Sequence, residues 1–188
     1  MRSVLAASLA SMMFAASAAA QTEAQPGESF TLESTTFGSN TTLATTQVYN
    51  RPPCNGGNLS PELHWKGAPA GTRSFAVTMF DPDARAGAGF WHWLLFDIDA
   101  KTTSLTVGAG DPAKSTGGSA SGKNGFGGIG YSGPCPPLGD KPHHYVFTVY
   151  ALKVDRLGVP DGADPESVKA ALEANTLLST TLQAEYGR

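Results

Sequence analysis

The sequence predicts a single, mainly β domain whose strands form two packed sheets. Three observations predict it. Several short segments alternate apolar with polar residues and are rich in β-branched and aromatic side chains. Two of them are apolar almost throughout, as strands covered on both faces are. Finally, 22 glycines and 13 prolines among 188 residues interrupt the chain too often for a helix bundle. Each alternating strand leaves one apolar face exposed, and two sheets laid face to face bury those faces together.

The elements follow in chain order. Met1-Arg2 carries one positive charge, Val4 to Ala16 is uncharged and apolar, and Ala18-Ala19-Ala20 precedes polar Gln21-Thr22-Glu23. This is the pattern of a cleaved secretory signal. The apolar run is shorter than the ~20 residues that a spanning helix needs. Residues 1–20 are therefore expected to be removed, leaving 21–188 as one soluble domain in the periplasm or outside the cell. Losing Arg2 shifts the formal charge from −3 to −4. Ser29–Glu33, Ser74–Phe80, Phe90–Ile98, Tyr145–Val154 and Thr180–Tyr186 read as strands, with the second and fourth central. Asp164 is suited to cap a helix that begins at Pro165, with Val168, Ala171, Leu172 and Leu178 as its apolar side. That helix is expected to pack on the outside of a sheet. Residues 108–142 form a long irregular stretch, the kind of loop that carries function or moves.

Composition excludes some classes of function. Thirteen Lys and Arg stand against sixteen Asp and Glu, with no basic run, so the chain lacks the electrostatic footprint of a nucleic-acid binder. In an oxidising compartment, two thiols in one small domain are expected to pair, here Cys54 with Cys135. Closing a loop of about 80 residues would contribute roughly 3–5 kcal/mol in the chain-entropy account. Two separate thiols are the alternative, since spacing along the chain says nothing of distance in the fold.

Four strings bear on chemistry. Gly125-Phe-Gly127-Gly128-Ile-Gly130 matches a dinucleotide fingerprint, but that fingerprint needs a helix N-terminus after it, and Tyr131-Ser-Gly-Pro-Cys-Pro-Pro cannot start one. No nucleotide cofactor is expected. Asp81-Pro82-Asp83-Ala84 is an acidic turn at the end of an apolar strand, and on local evidence it could be a turn former only. In Trp91-His92-Trp93, strict alternation sets His92 opposite the two Trp rings, beside Leu94 and Phe96. In His143-His144-Tyr145, it puts His143 and Tyr145 on one face and His144 on the other. Two histidines with Asp81 could hold a metal only if the fold gathered them, and no zinc spacing such as HExxH is present. A GxSxG nucleophile elbow is also absent.

Taken together, Asp81-Pro-Asp-Ala, Trp91-His92-Trp93, Gly130-Tyr-Ser-Gly-Pro-Cys-Pro-Pro137 and His143-His144-Tyr145-Val-Phe-Thr-Val-Tyr-Ala-Leu152 closely resemble the phosphatidylethanolamine-binding protein (PEBP) family. The nearest branch is the bacterial Raf-kinase-inhibitor-like one, YbhB/YbcL. Asn58-Leu-Ser-Pro-Glu-Leu-His-Trp65 and Gly71-Thr-Arg-Ser-Phe-Ala-Val77 also resemble that branch, and the resemblance spans about residues 28–187. It implies a Greek-key β-sandwich with short peripheral helices and a pocket for small anions such as phosphate or a phospholipid phosphoryl head. Carried over, that pocket comprises Asp81, His92, His143 and Tyr145, with Pro134, Pro136 and Pro137 on a rim loop. Imidazole and phenol can donate hydrogen bonds to phosphoryl oxygens. Free histidine titrates near ~6.5, so anion affinity is expected to rise on acidification. The sequence departs from the family pattern at Arg85, where Pro is usual, and at His144, where Arg is common. It also ends at Arg188 without the extra C-terminal helix of animal members, which predicts a more open site.

The expected function is an exported, non-enzymatic module that binds a small anionic or phosphorylated ligand and needs no cofactor or metal. The alternative is an inhibitory or regulatory partner of an enzyme, a kinase or protease, acting through the 108–142 loop. A hydrolase using Asp81 and the histidines as an acid/base set is a third reading, for which no nucleophile is evident.

Overall fold

The computed structural model describes residues 29–114 and 118–188, so the expected signal segment 1–20 lies outside the described residues. Nine strands and one helix follow in order: β1 (Thr31–Glu33), β2 (Thr41–Thr42), β3 (Leu63–Lys66), β4 (Ser74–Asp81), β5 (Phe90–Asp99), β6 (Ser104–Leu105), β7 (Ala120–Ser121), β8 (His143–Leu152), α1 (Pro165–Asn175) and β9 (Thr176–Tyr186). A three-stranded sheet, β1-β3-β6, faces a six-stranded one, β2-β9-β8-β4-β5-β7. Chain neighbours are often separated within these sheets, as in a Greek-key sandwich. All five expected strands form. The short β2, β3, β6 and β7 were not foreseen.

Alternation along the large sheet divides the core. Phe75, Val77, Met79, Trp93, Leu95, Tyr145, Phe147 and Val149 pack toward Leu32, Leu63 and Trp65 of the small sheet. Ala76, Leu94, Phe96 and Leu152 pack the other way, against Val168 and Leu172 of α1 and against Leu157 and Ala163. The central strands β4 and β8 are therefore covered on both faces, which is why their sequences are so uniformly apolar. The helix starts as expected: the Asp164 side chain accepts from the Ser167 N–H at 3.0 Å, and Pro165 opens the first turn. Leu178 differs from expectation. The helix ends at Asn175, and Leu178 lies on β9, 46% exposed.

Cys54 and Cys135 are disulfide-bonded, with Cα atoms 5.8 Å apart. Around the bridge, two irregular segments are tied by backbone groups. The Tyr49 N–H donates to the Pro134 carbonyl at 3.1 Å, the Gly133 N–H to Asn58 Oδ1 at 2.8 Å, and the Tyr131 hydroxyl to the Gln47 carbonyl at 2.8 Å. Gly133 is required by this approach, because a Cβ there would lie 2.0 Å from the Gln47 carbonyl oxygen.

Burial separates two leucines that the sequence treats alike. Leu172→Ala, in the contact between helix and sheet, is expected to cost about 2–4 kcal/mol in urea unfolding. Leu178→Ala is expected to stay within about 0.5 kcal/mol of the parent.

Candidate anion site

The candidate side chains gather because of strand direction. β4 runs antiparallel to both β5 and β8, with Asp81 opposite Phe90 and Phe80 opposite Val146. The end of β4 therefore meets the beginnings of β5 and β8. That juxtaposition places Asp81, His92, His143 and Tyr145 at one end of the large sheet, where they line a cavity of about 680 Å³. Phe90, Phe126, Pro136 and Pro137 form apolar walls, and Arg85, Asp140 and Lys141 stand at its edge. Pro134 is buried beside the cavity without lining it, its carbonyl engaged by Tyr49.

Asp81 is 2% exposed. Its Oδ1 accepts from the Asp83 N–H at 2.9 Å and the Ala84 N–H at 3.0 Å, closing the Asp81-Pro-Asp-Ala turn. Its Oδ2 lies 2.8 Å from His143 Nδ1, which donates to it. The second acid of the turn also borders the cavity. Asp83 accepts from both the backbone N–H and the ring of His144, and Lys141 lies 3.3 Å away. These donors, the His144 amide foremost, lower the Asp83 carboxyl to about 2. His143 and Tyr145 thus face the cavity while His144 faces away, as alternation predicts.

His92 departs from strict alternation. A bulge opposite Met79 and Phe80 leaves His92 as the extra residue between Trp91 and Trp93. Trp91 packs with Leu94 and Phe96, but the His92 ring meets Tyr145 edge-on at 5.3 Å, on the side that holds Trp93. Its Nδ1 donates to the Ser132 carbonyl at 2.6 Å, and its Nε2 is 3.9 Å from Asp81 Oδ2. Burial pushes His92 down to about 4, outweighing the Ser132 carbonyl and the Asp81 charge that act in the opposite sense. Tyr145 is completely buried, its hydroxyl has no hydrogen-bond partner among the described residues, and burial raises its pKa.

Several lining residues were not singled out from the sequence: Phe90, Phe126, Asp140 and Lys141. Phe126 had a visible signal, a lone aromatic within Gly125-Phe-Gly127. The glycine string that holds it is an Asn-centred loop. Asn124 Oδ1 accepts from the N–H groups of Phe126 and Gly128, and its Nδ2 donates to the Gly130 carbonyl. Phe126 stacks on Tyr49 at 4.7 Å and meets Phe90 edge-on at 4.7 Å. Beyond it lies a second cavity of about 510 Å³, bordered by Tyr49, Arg51, Asn58 and Asp111. Among the described residues, no group of three His, Cys, Asp or Glu is arranged to hold a metal ion.

The phosphatidylethanolamine-binding protein family model matches residues 23–187. The chain belongs to that family. It is 45% identical over 146 residues to the UPF0098 protein YbcL of Escherichia coli, covering 77% of this chain and 80% of YbcL. To the E. coli UPF0098 protein YbhB it is 39% identical over 140 residues, or 74% of this chain and 88% of the relative. A crystal structure of E. coli YbcL, described as a member of the mammalian PEBP family, superposes with a TM-score of 0.81 at 41% identity. That likeness covers 85% of this chain and 98% of YbcL. A Mycobacterium tuberculosis relative whose name marks it as a lipoprotein, LppC, is 40% identical over 112 residues, 58% of this chain and 51% of its own.

The neutral burial of His92 has a consequence for stability. An unfolded histidine takes up a proton near ~6.5, whereas the folded one does so only near 4. The unfolded state thus binds more protons between these values, and stability is expected to fall by about 3 kcal/mol as pH drops through that window. NMR titration of the His92 ring together with urea unfolding at pH 4.5 and 7 checks both parts.

Proposed function

We propose that this chain is an exported, non-enzymatic binding module whose cavity receives a small anion or a phosphoryl group. The observation that carries this reading is the buried, unpartnered hydroxyl of Tyr145 in a cavity shared with two histidines. A buried hydroxyl without a partner forfeits about 1–3 kcal/mol, and a ligand oxygen would supply what it lacks. Lys141 and Arg85 stand at the rim, where positive charge attracts anions. Membership of a family named for binding phosphatidylethanolamine supports a ligand of this chemistry.

Two further observations support the remaining parts. The cavity lining contains no serine or threonine, and its one cysteine is in the disulfide. A covalent mechanism through a side-chain hydroxyl would have to activate Tyr145, whose pKa burial has raised. Export is supported by the charged, apolar and small-residue order of positions 1–20 and by the lipoprotein name of the LppC relative.

Titration calorimetry with inorganic phosphate tests the site. Tyr145→Phe is expected to weaken binding about tenfold to a hundredfold, the worth of a hydrogen bond to a charged group, while leaving the fold intact. His92→Ala is expected to abolish measurable binding. Equal affinity in wild type and both variants would reject the site.

A further inference from the structure

We propose that the cavity selects an oxyanion that still carries a proton, such as hydrogen phosphate or a phosphomonoester, over a fully ionised one such as sulfate. This inference rests on the reading of the cavity as an anion site and concerns which anions it admits. The polar floor holds more acceptors than donors. Asp81 Oδ1 is committed to two backbone N–H groups, and Oδ2 receives one bond, from His143 Nδ1. A carboxylate oxygen can accept a second. His92 Nε2 lies 3.9 Å from it. The Ser132 carbonyl cannot donate, so the His92 proton sits on Nδ1 and the neutral ring turns a bare lone pair toward the carboxylate. Two acceptors thus face each other with no hydrogen between them. The complementary donor is the Tyr145 hydroxyl, buried and without a partner.

A ligand matching this floor must donate once and accept once. A P–O–H group can donate to Asp81 Oδ2 or His92 Nε2, while a second phosphoryl oxygen accepts from Tyr145. Sulfate at neutral pH brings acceptors only, and an acceptor pressed against Asp81 meets like charge.

The surrounding charges do not reverse this balance. On the β4–β5 turn, Asp83 is tied to His144 and Lys141, and Arg85 lies over the Phe90 ring at 4.8 Å and donates to the Gly125 carbonyl. Before β8, Asp140 faces His143 Nε2 at 3.7 Å, adding another acceptor. On β9, Glu185 faces His144 on the outer side at 3.6 Å. The segment carrying Phe126, Pro136 and Pro137 contributes no charge to the lining, and Arg188 beyond it is turned to the Pro136 carbonyl. His92, lowered to about 4 by burial, stays neutral above pH 5.5.

Calorimetry on the purified protein from pH 5.5 to 8 with inorganic phosphate, methyl phosphate and sulfate decides the matter. Phosphate is expected to bind at least about tenfold more tightly than sulfate near pH 6, the worth of one hydrogen bond to a charged group. Methyl phosphate affinity is expected to fall about tenfold per pH unit above its second pKa near ~6, because one proton enters with the ligand. Asp81→Asn, which replaces an acceptor by a donor, is expected to narrow the preference against sulfate. If that variant does not fold, the wild-type comparison decides alone. Phosphate and sulfate binding within about twofold of each other, with parallel pH profiles, would overturn proton selection and leave the anion site standing. Binding of none of the three would reject the anion site itself.

Discussion

The buried carboxylate of Asp81 is the constraint on which this end of the molecule depends. A charge so far from water is tolerated only when its lone pairs are taken up by donors. Asp81 meets that demand with three: two amides of its own turn and one histidine from β8. The same three bonds perform separate tasks. The amides shape the chain as it leaves β4, and the imidazole bond fixes the orientation of His143. Removal of the carboxylate would therefore disturb the turn and the ring together.

Antiparallel geometry converts this local knot into a site. In an antiparallel sheet the end of one strand is flanked by the beginnings of its neighbours, so β4, β5 and β8 bring Asp81, His92, His143 and Tyr145 to one place although a long irregular stretch separates β5 from β8. The bulge at His92 adds what pairing alone would not. By inserting one residue between Trp91 and Trp93, it turns the imidazole to the Tyr145 side with Trp93 and leaves Trp91 on the opposite face beside Leu94 and Phe96. The wall opposite comes from irregular chain, and the disulfide with the Tyr49–Pro134 bond holds that wall in place. Rigid strands thus carry the polar floor, and stapled loops carry the apolar rim.

Much of this was visible in the residues. Period-two patterning located β1, β4, β5 and β8, which bury side chains on at least one face, and also β9, where Ala184 is the one buried residue. The two-residue strands left no such trace: Thr41–Thr42 is exposed and pairs only through its backbone. Leu178 was misplaced because apolar spacing continues past Asn175 from helix to strand, and spacing cannot register where Thr176 turns extended. The side to which His92 points was misjudged for a similar reason, since a bulge leaves no mark in composition. The residues that meet at the cavity were legible through ordered motifs and not through any one of them. Phe126 and Asp140 went unnoticed because they sit in loops, where no periodicity links a residue to a face.

The largest difference between expectation and structure concerns where the positive charge lies. Acidification was expected to turn the histidines into cationic anion receptors. For His92 the structure opposes this: the Ser132 carbonyl supplies a hydrogen bond but little compensating charge, and Asp81 at 3.9 Å does not offset complete burial. Cationic groups stand at the rim instead, on Arg85 and Lys141, where water screens them and they act over distance. In the proposed anion reading, attraction and discrimination are therefore separated in space. Exposed cations would read only a ligand's charge, whereas fit at the floor would depend on the positions of a few hydrogens, each costly to misplace in a low-dielectric setting.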